Sequence, residues 1–203
     1  MILVGRYLSP FVRRVAVTLQ WLDIPYEHRS LSAADHAEDI RAFNPMIKVP
    51  VLVLDDGQRL IESSAILDSV LETIPGQTLL PASGPARREV LQQCGMMTSA
   101  LDKSVAALYE RIKRPKEKIH QPFLDHLLAQ VSAGLDMVEA EVEQGRLRGI
   151  ASPTLADLTA AVGYTFVTHM LPNISGPERH PALAKLTEPF EQTEAFSACR
   201  FQV

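Results

Sequence analysis

The chain has 203 residues, 46% of them hydrophobic and 22% charged, a composition that supports a real core. Its formal net charge of -4 and pI of about 5.9 weigh against a dedicated nucleic-acid binder, which would be basic. No apolar run approaches the ~20 residues that cross a bilayer, and MILVGRYLSP lacks the basic leader and long apolar stretch of a signal peptide, so no membrane association and a cytoplasmic location are expected.

Ile2-Leu3-Val4 reads as a short buried strand. Ser9-Pro10 then opens a helix, because serine is a strong N-cap and proline is favoured at the first helical position. Phe11, Val15, Leu19 and Leu22 follow at helical spacing, and Ile24-Pro25 ends that helix. Residues 26–30 read as a second strand, and a strand–helix–strand crossover implies parallel neighbours. Residues 33–43 are polar and irregular, with a short helix ending before Asn44-Pro45. Residues 51–54 form the clearest strand, Asp56-Gly57 is a hairpin signal, and 59–61 return antiparallel. Ser63 or Ser64 starts a helix that carries Ile66, Leu67, Val70 and Leu71, and Pro75-Gly76 stops it.

The stretch PGQTLLPASGP, residues 75–85, marks a domain boundary by its proline and glycine content. Strand signals vanish beyond it. Helical patterns cover roughly 86–113, 122–144 and 155–171, with shorter helices near 181–186 and 189–196. The expected layout is an α/β domain of β-α-β-α-β-β-α order, residues 1–77, followed by an all-helical domain, residues 86–203. The basic run RIKRPKEK at 111–118 reads as a solvated helix end.

Cys94 and Cys199 are far apart, no CxxC or HExxH is present, and no metal site is expected. There is also no GxGxxG, no phosphate-binding P-loop and no GxSxG. Tyr7, Phe11, Tyr109 and Tyr164 are aromatic candidates for a substrate pocket on pattern alone, and aromatics at such spacing more often belong to the core.

Three stretches remain: SPFVRR at the first strand–helix turn, NPMIKVPVL entering the third strand, and ESSAI opening the third helix. With the element order, they resemble the glutathione S-transferase family over the whole chain. That resemblance implies a thioredoxin-like N-terminal domain, an all-α C-terminal domain, glutathione as co-substrate, a small electrophile as second substrate and a homodimer. It implies that Ser9 is the catalytic hydroxyl near the glutathione sulfur. By the same likeness Val49-Pro50 supplies a valine backbone and a cis-proline, Glu62-Ser63 holds the γ-glutamyl end, Lys48 reaches the glycine carboxylate, and Phe11 offers a backbone amide to the thiolate. TLADLTAA at 154–161 looks like the family's C-domain capping box, closed by Thr154 and Asp157. Ile47 stands where many members have glycine. SPF is the serine counterpart of a CPF redox turn, so mixed-disulfide chemistry is not expected. Bacterial relatives of this fold also include stress and transcription factors that conjugate nothing, which leaves a non-catalytic interaction protein as the alternative.

Elementary chemistry supports the assignments. Glutathione needs donors for its carboxylates, an acceptor for its ammonium, and backbone partners for its peptide groups. A serine at a helix start offers a hydroxyl and free N–H groups, an acidic neighbour offers the acceptor, and an extended residue before proline offers strand-like pairing. A free thiol with pKa about 8.5 is only about 3% thiolate at pH 7, and lowering that pKa by about 2 units takes about 2.7 kcal/mol of differential stabilisation. A hydroxyl donor at the positive end of a helix can supply it. Ser9 equally serves as a plain helix cap.

Overall fold

The computed structural model describes residues 1–201, which fall into two compact units. The first contains residues 1–82 and 191–201; the second contains residues 83–190. The chain reading placed that last segment in the helical domain, and the structure groups it with the first unit instead.

The first unit runs β1 (Ile2–Val4), α1 (Pro10–Trp21), β2 (Glu27–Arg29), α2 (Ala37–Arg41), β3 (Val51–Val53), β4 (Arg59–Ile61) and α3 (Ser63–Glu72). The sheet order is β2-β1-β3-β4. β1 and β2 are parallel, with Leu3 opposite His28, while β1–β3 and β3–β4 are antiparallel, with Leu52 opposite Leu3 and Leu60. The element order, the parallel β1–β2 pair and the antiparallel β3–β4 hairpin are as expected, and the structure adds the antiparallel β1–β3 pair and the sheet order. β2 is polar, Glu27-His28-Arg29, which suits an edge strand whose charges discourage further pairing.

α1 departs from a simple amphipathic stripe. Every residue from Val12 to Leu19 is buried, while Phe11 and Leu22, expected on the core face, are only half-buried. A helix buried all round must find partners for its polar residues, and α1 carries Arg13 and Arg14. Arg13 donates to both oxygens of Glu191, at 2.9 and 2.7 Å, and to the Cys199 carbonyl at 3.1 Å. Its guanidinium also lies over the rings of Phe196 and Phe201. This set of contacts ties α8 (Glu194–Ala198) and its flanks to α1.

The stretch expected as a linker is ordered. Leu79 and Leu80 are buried, and the Gln77 side chain donates to the Leu80 carbonyl at 2.7 Å while accepting its amide at 2.9 Å.

The second unit is helical: α4 (Gly84–Ile112), α5 (Gln121–Glu143), α6 (Leu155–Met170) and α7 (Pro181–Glu191, whose last residue belongs to the first unit). Lys116–Lys118 form one 3-10 turn in the exposed basic run. α4 and α5 approach closely where Gly134 meets Ala100; a Cβ on Gly134 would sit 2.8 Å from the Ala100 Cβ. Two short helices were expected around Pro189, but α7 runs through it. The lost N–H falls near the helix end, and Leu183, Leu186 and Phe190 continue one buried face across it. No helix among the described residues is long and apolar enough to cross a membrane.

Candidate active site

Ser9 is the N-cap of α1, with extended backbone and a side chain that accepts the Val12 amide at 3.4 Å. Pro10 has no N–H, so the amides of Phe11 and Val12 are the first donors at this helix end, and Val12 spends its own on Ser9. The Ser9 hydroxyl hydrogen is not used in that bond, because the oxygen is the acceptor.

Val49-Pro50 is a cis peptide bond. Among the described residues no hydrogen bond is made by the N–H or C=O of Val49, which precedes β3. Gly5, at φ +129, fixes the position of this segment: a Cβ there would lie 2.5 Å from Val12 and 2.8 Å from the Val49 Cβ. Glycine is therefore required where the β1 exit, α1 and Val49 converge. Upstream, Ile47 takes φ +54, a left-handed conformation that a β-branched side chain rarely adopts. The backbone thus keeps the geometry that glycine would provide, although the side chain is isoleucine. Asn44 braces it, donating to the Lys48 carbonyl at 3.0 Å and accepting the Met46 amide at 3.1 Å.

Glu62 caps α3 with φ +69. Its carboxylate accepts the Ser64 amide at 3.1 Å and the Ser63 hydroxyl at 3.2 Å. Ser63 is buried, and Arg14 donates to its hydroxyl at 3.0 Å and to that of Ser64 at 3.2 Å. Ser9 starts α1, Val49 packs beside Gly5 and Val12, and Ser63 is tied to α1 through Arg14. These three stretches therefore meet along the first half of α1. Lys48 and Phe11 are not drawn into that cluster by a side-chain bond; Lys48 is exposed and Phe11 half-buried. Arg14 escaped the sequence reading because its partners lie about fifty positions away.

Other chemistry-bearing groups are committed elsewhere. The Tyr7 hydroxyl lies 3.0 Å from that of Tyr26, which lies 3.7 Å from the Cys199 sulfur, and the Tyr7 ring stacks on His28 at 3.9 Å. Burial pushes the Tyr7, Tyr26 and Cys199 protons to higher pKa, so all three stay neutral at pH 7. In the second unit, Ser175, His180 and Asp136 line up as hydroxyl, imidazole and carboxylate, at 3.3 and 3.1 Å. Ser175 is only 4% exposed and accepts from Thr168 at 3.2 Å, so this row braces a loop and is closed to an acyl substrate. A cavity of about 640 Å3 between α6 and α7 contains none of the residues named for glutathione. Of the other aromatic candidates, Tyr164 is buried and Tyr109 is half-exposed under the Lys113 ammonium.

Residues 3–78 match the glutathione S-transferase N-terminal domain. The first unit carries the N-terminal domain of the glutathione S-transferase family. The chain is 26% identical over 197 residues to the uncharacterized GST-like protein YibF of Escherichia coli K12, covering 96% of each chain. It is 33% identical over 93 residues to a probable maleylacetoacetate isomerase 2 of Drosophila melanogaster, covering 40% of that protein. Among solved structures, a glutathione transferase family member from Pseudomonas fluorescens Pf-5 with bound glutathione superposes with a TM-score of 0.86 at 26% identity, covering 100% of this chain and 99% of that one. A glutathione S-transferase from Methylobacillus flagellatus, with glutathione bound, gives a TM-score of 0.89 at 23% identity over 98% of each chain, which speaks to the fold. The family fold, a thioredoxin-like domain followed by helices, is the architecture described above.

Proposed function

We propose that the chain is a glutathione transferase that binds glutathione in its first unit, stabilises the thiolate and adds it to a small electrophile. The observation that carries this is the convergence on α1 of a capped helix start, a Val49 backbone without hydrogen-bond partners before a cis Pro50, and the Glu62-Ser63 turn. Each answers one need of the tripeptide. The free N–H and C=O of Val49 suit the cysteinyl peptide group, like an added strand. The start of α3, with Ser63 and its first-turn amides, suits the γ-glutamyl carboxylate, and Glu62 suits the ammonium. Lys48, exposed beside Val49, suits the glycine carboxylate.

In this reading Ser9 donates its unused hydrogen to the sulfur and does not act as a nucleophile. The Phe11 amide and the α1 dipole add positive potential at the same end. The thiol proton passes to solvent water before the sulfur attacks, and the hydroxyl holds the resulting anion. The proposal includes a cytoplasmic location, where glutathione is kept reduced, and a homodimer. The bound glutathione of the Pseudomonas fluorescens relative supports the co-substrate.

Isothermal titration with glutathione is the direct test, with binding expected at or below millimolar concentration. Absence of binding at that level, together with copurification of a stoichiometric protein partner, would replace the enzyme with the interaction protein.

A further inference from the structure

We infer that the cavity between α6 and α7 is a second binding site, one that takes the ammonium and carboxylate of an α-amino acid. It lies wholly within the second unit and uses none of the residues named for glutathione, so it stands apart from the glutathione reading. Its volume of about 640 Å3 has room for such a molecule.

Two of its lining side chains carry buried hydroxyls that the protein leaves open. Thr187 is 5% exposed and Tyr164 6% exposed, and neither hydroxyl has a hydrogen-bond partner among the described residues. Burial raises the Tyr164 pKa, so the phenol keeps its hydrogen at pH 7; the Thr168 side chain opposes that rise without reaching hydrogen-bond geometry. Buried hydroxyls are normally satisfied, and two left open at one cavity mark where ligand atoms can complete them.

Thr168 adds an acceptor. Its one hydrogen goes to Ser175 Oγ at 3.2 Å, and Ser175 is held in turn by His180, whose Nε2 meets Asp136 at 3.1 Å. The Thr168 oxygen can therefore only accept from the cavity it lines.

The rim supplies the charges. Lys185 and Glu188 stand three apart on α7, on one side of the helix, with Cβ atoms about 5–6 Å apart. Opposite charges so spaced can pair, yet neither forms an ion pair among the described residues. Pro189 has no N–H, so the Lys185 carbonyl also lacks the amide it would receive from four residues on.

These groups divide by sign as an α-amino acid does. Its carboxylate takes the Lys185 ammonium and the hydroxyl hydrogens of Tyr164 and Thr187. Its ammonium takes Glu188 and the Thr168 oxygen. A simple anion or cation satisfies one half only and meets repulsion from the other rim charge.

The test is a titration of the full chain followed by its NMR chemical shifts. The probes are L-glutamine, N-acetyl-L-glutamine, which lacks the ammonium, and L-glutaminamide, which lacks the carboxylate. L-Glutamine is expected to bind at about millimolar concentration and to shift the Thr168 and Thr187 methyl signals, with each blocked analogue about fivefold weaker or more. Glu188→Gln is expected to weaken L-glutamine about fivefold and to leave N-acetyl-L-glutamine within about twofold. Lys185→Met is expected to weaken L-glutamine as much and to leave L-glutaminamide within about twofold. Thr187→Val, which keeps the shape, is expected to weaken L-glutamine about threefold. Absence of shifts up to about 10 mM L-glutamine overturns the inference. So do shifts confined to the first unit, analogues that bind as well as L-glutamine, and variant losses that ignore which charge the probe lacks. If Thr187→Val does not fold, the exposed Lys185 and Glu188 variants decide. Lys185→Met is expected to leave glutathione affinity unchanged; if that affinity falls together with L-glutamine binding, the two sites are one and the inference fails.

Discussion

At the start of α6, Asp157 accepts the Thr154 amide at 2.8 Å, the Thr154 hydroxyl at 2.7 Å and the Gly149 amide at 2.7 Å, and it is fully buried. At the start of α3, Glu62 accepts one amide and one hydroxyl, stands exposed and holds φ +69. Both are acids at helix N-termini; Asp157 satisfies the cap residue and the loop before it, Glu62 the first turn itself. The first is closed: its carboxylate is shared among three protein donors and water cannot reach it. The second is open: it keeps acceptor capacity at the surface and tolerates an unfavourable backbone angle. A closed cap holds a fold together, whereas an open and strained one is the kind from which a ligand can draw bonds.

The contrast can be broken in several ways. Replacing Asp157 by Ala leaves buried amides without an acceptor, and the loss of stability is expected to be about 3 kcal/mol or more in urea unfolding. A loss below about 1 kcal/mol would mean that the α6 cap is not the structural anchor described here. Glu62→Gly should behave oppositely. Glycine relieves the positive φ while the cap bond is lost, so stability should move by less than about 1 kcal/mol. Glutathione affinity, by titration, should fall about tenfold with loss of the acceptor for its ammonium. Destabilisation as large as that of Asp157→Ala would place Glu62 on the structural side.

Ser9→Ala refines the contrast at the third helix start. The long cap bond predicts a stability loss of about 0.5 kcal/mol, while the pKa of the bound glutathione thiol, followed by its ultraviolet absorbance, should rise by about 1 unit. An unchanged thiol pKa would leave Ser9 as a cap alone. The smallest effect concerns an exposed arginine paired with a buried carboxylate. Arg146 donates to Glu141 and holds its carboxyl below the ordinary value of 4.5. A depressed pKa stabilises the fold above the unfolded value and loses that contribution as pH falls below about 4.5. Arg146→Met should therefore flatten the decline of urea midpoints between about pH 5 and 3 by a few tenths of a kcal/mol.

Much of this was readable in the chain itself because its signals are local. Ser9-Pro10, Asp56-Gly57 and Thr154-x-x-Asp157 act within four residues, and they fixed helix starts and a hairpin correctly. Val49-Pro50 and Glu62-Ser63 became meaningful through the order of motifs. What escaped depends on long-range partners. Arg14 read as an ordinary helical residue because Ser63 lies 49 positions on, and Arg13 because Glu191 lies 178 positions on. Pro189 was given its usual weight as a breaker, since periodicity cannot weigh one lost hydrogen bond against a buried Phe190.

The Arg13 contacts have a consequence for biosynthesis. On a ribosome the first 82 residues emerge long before Glu191, and at about 5–20 residues per second the gap between Arg13 and its carboxylate is on the order of ten to forty seconds. During that interval α1 carries a cation whose docking site in the mature fold has not been synthesised. The N-terminal domain is thus encoded first and completed late, and the nascent chain must protect that helix until residues 191–199 arrive to close over it.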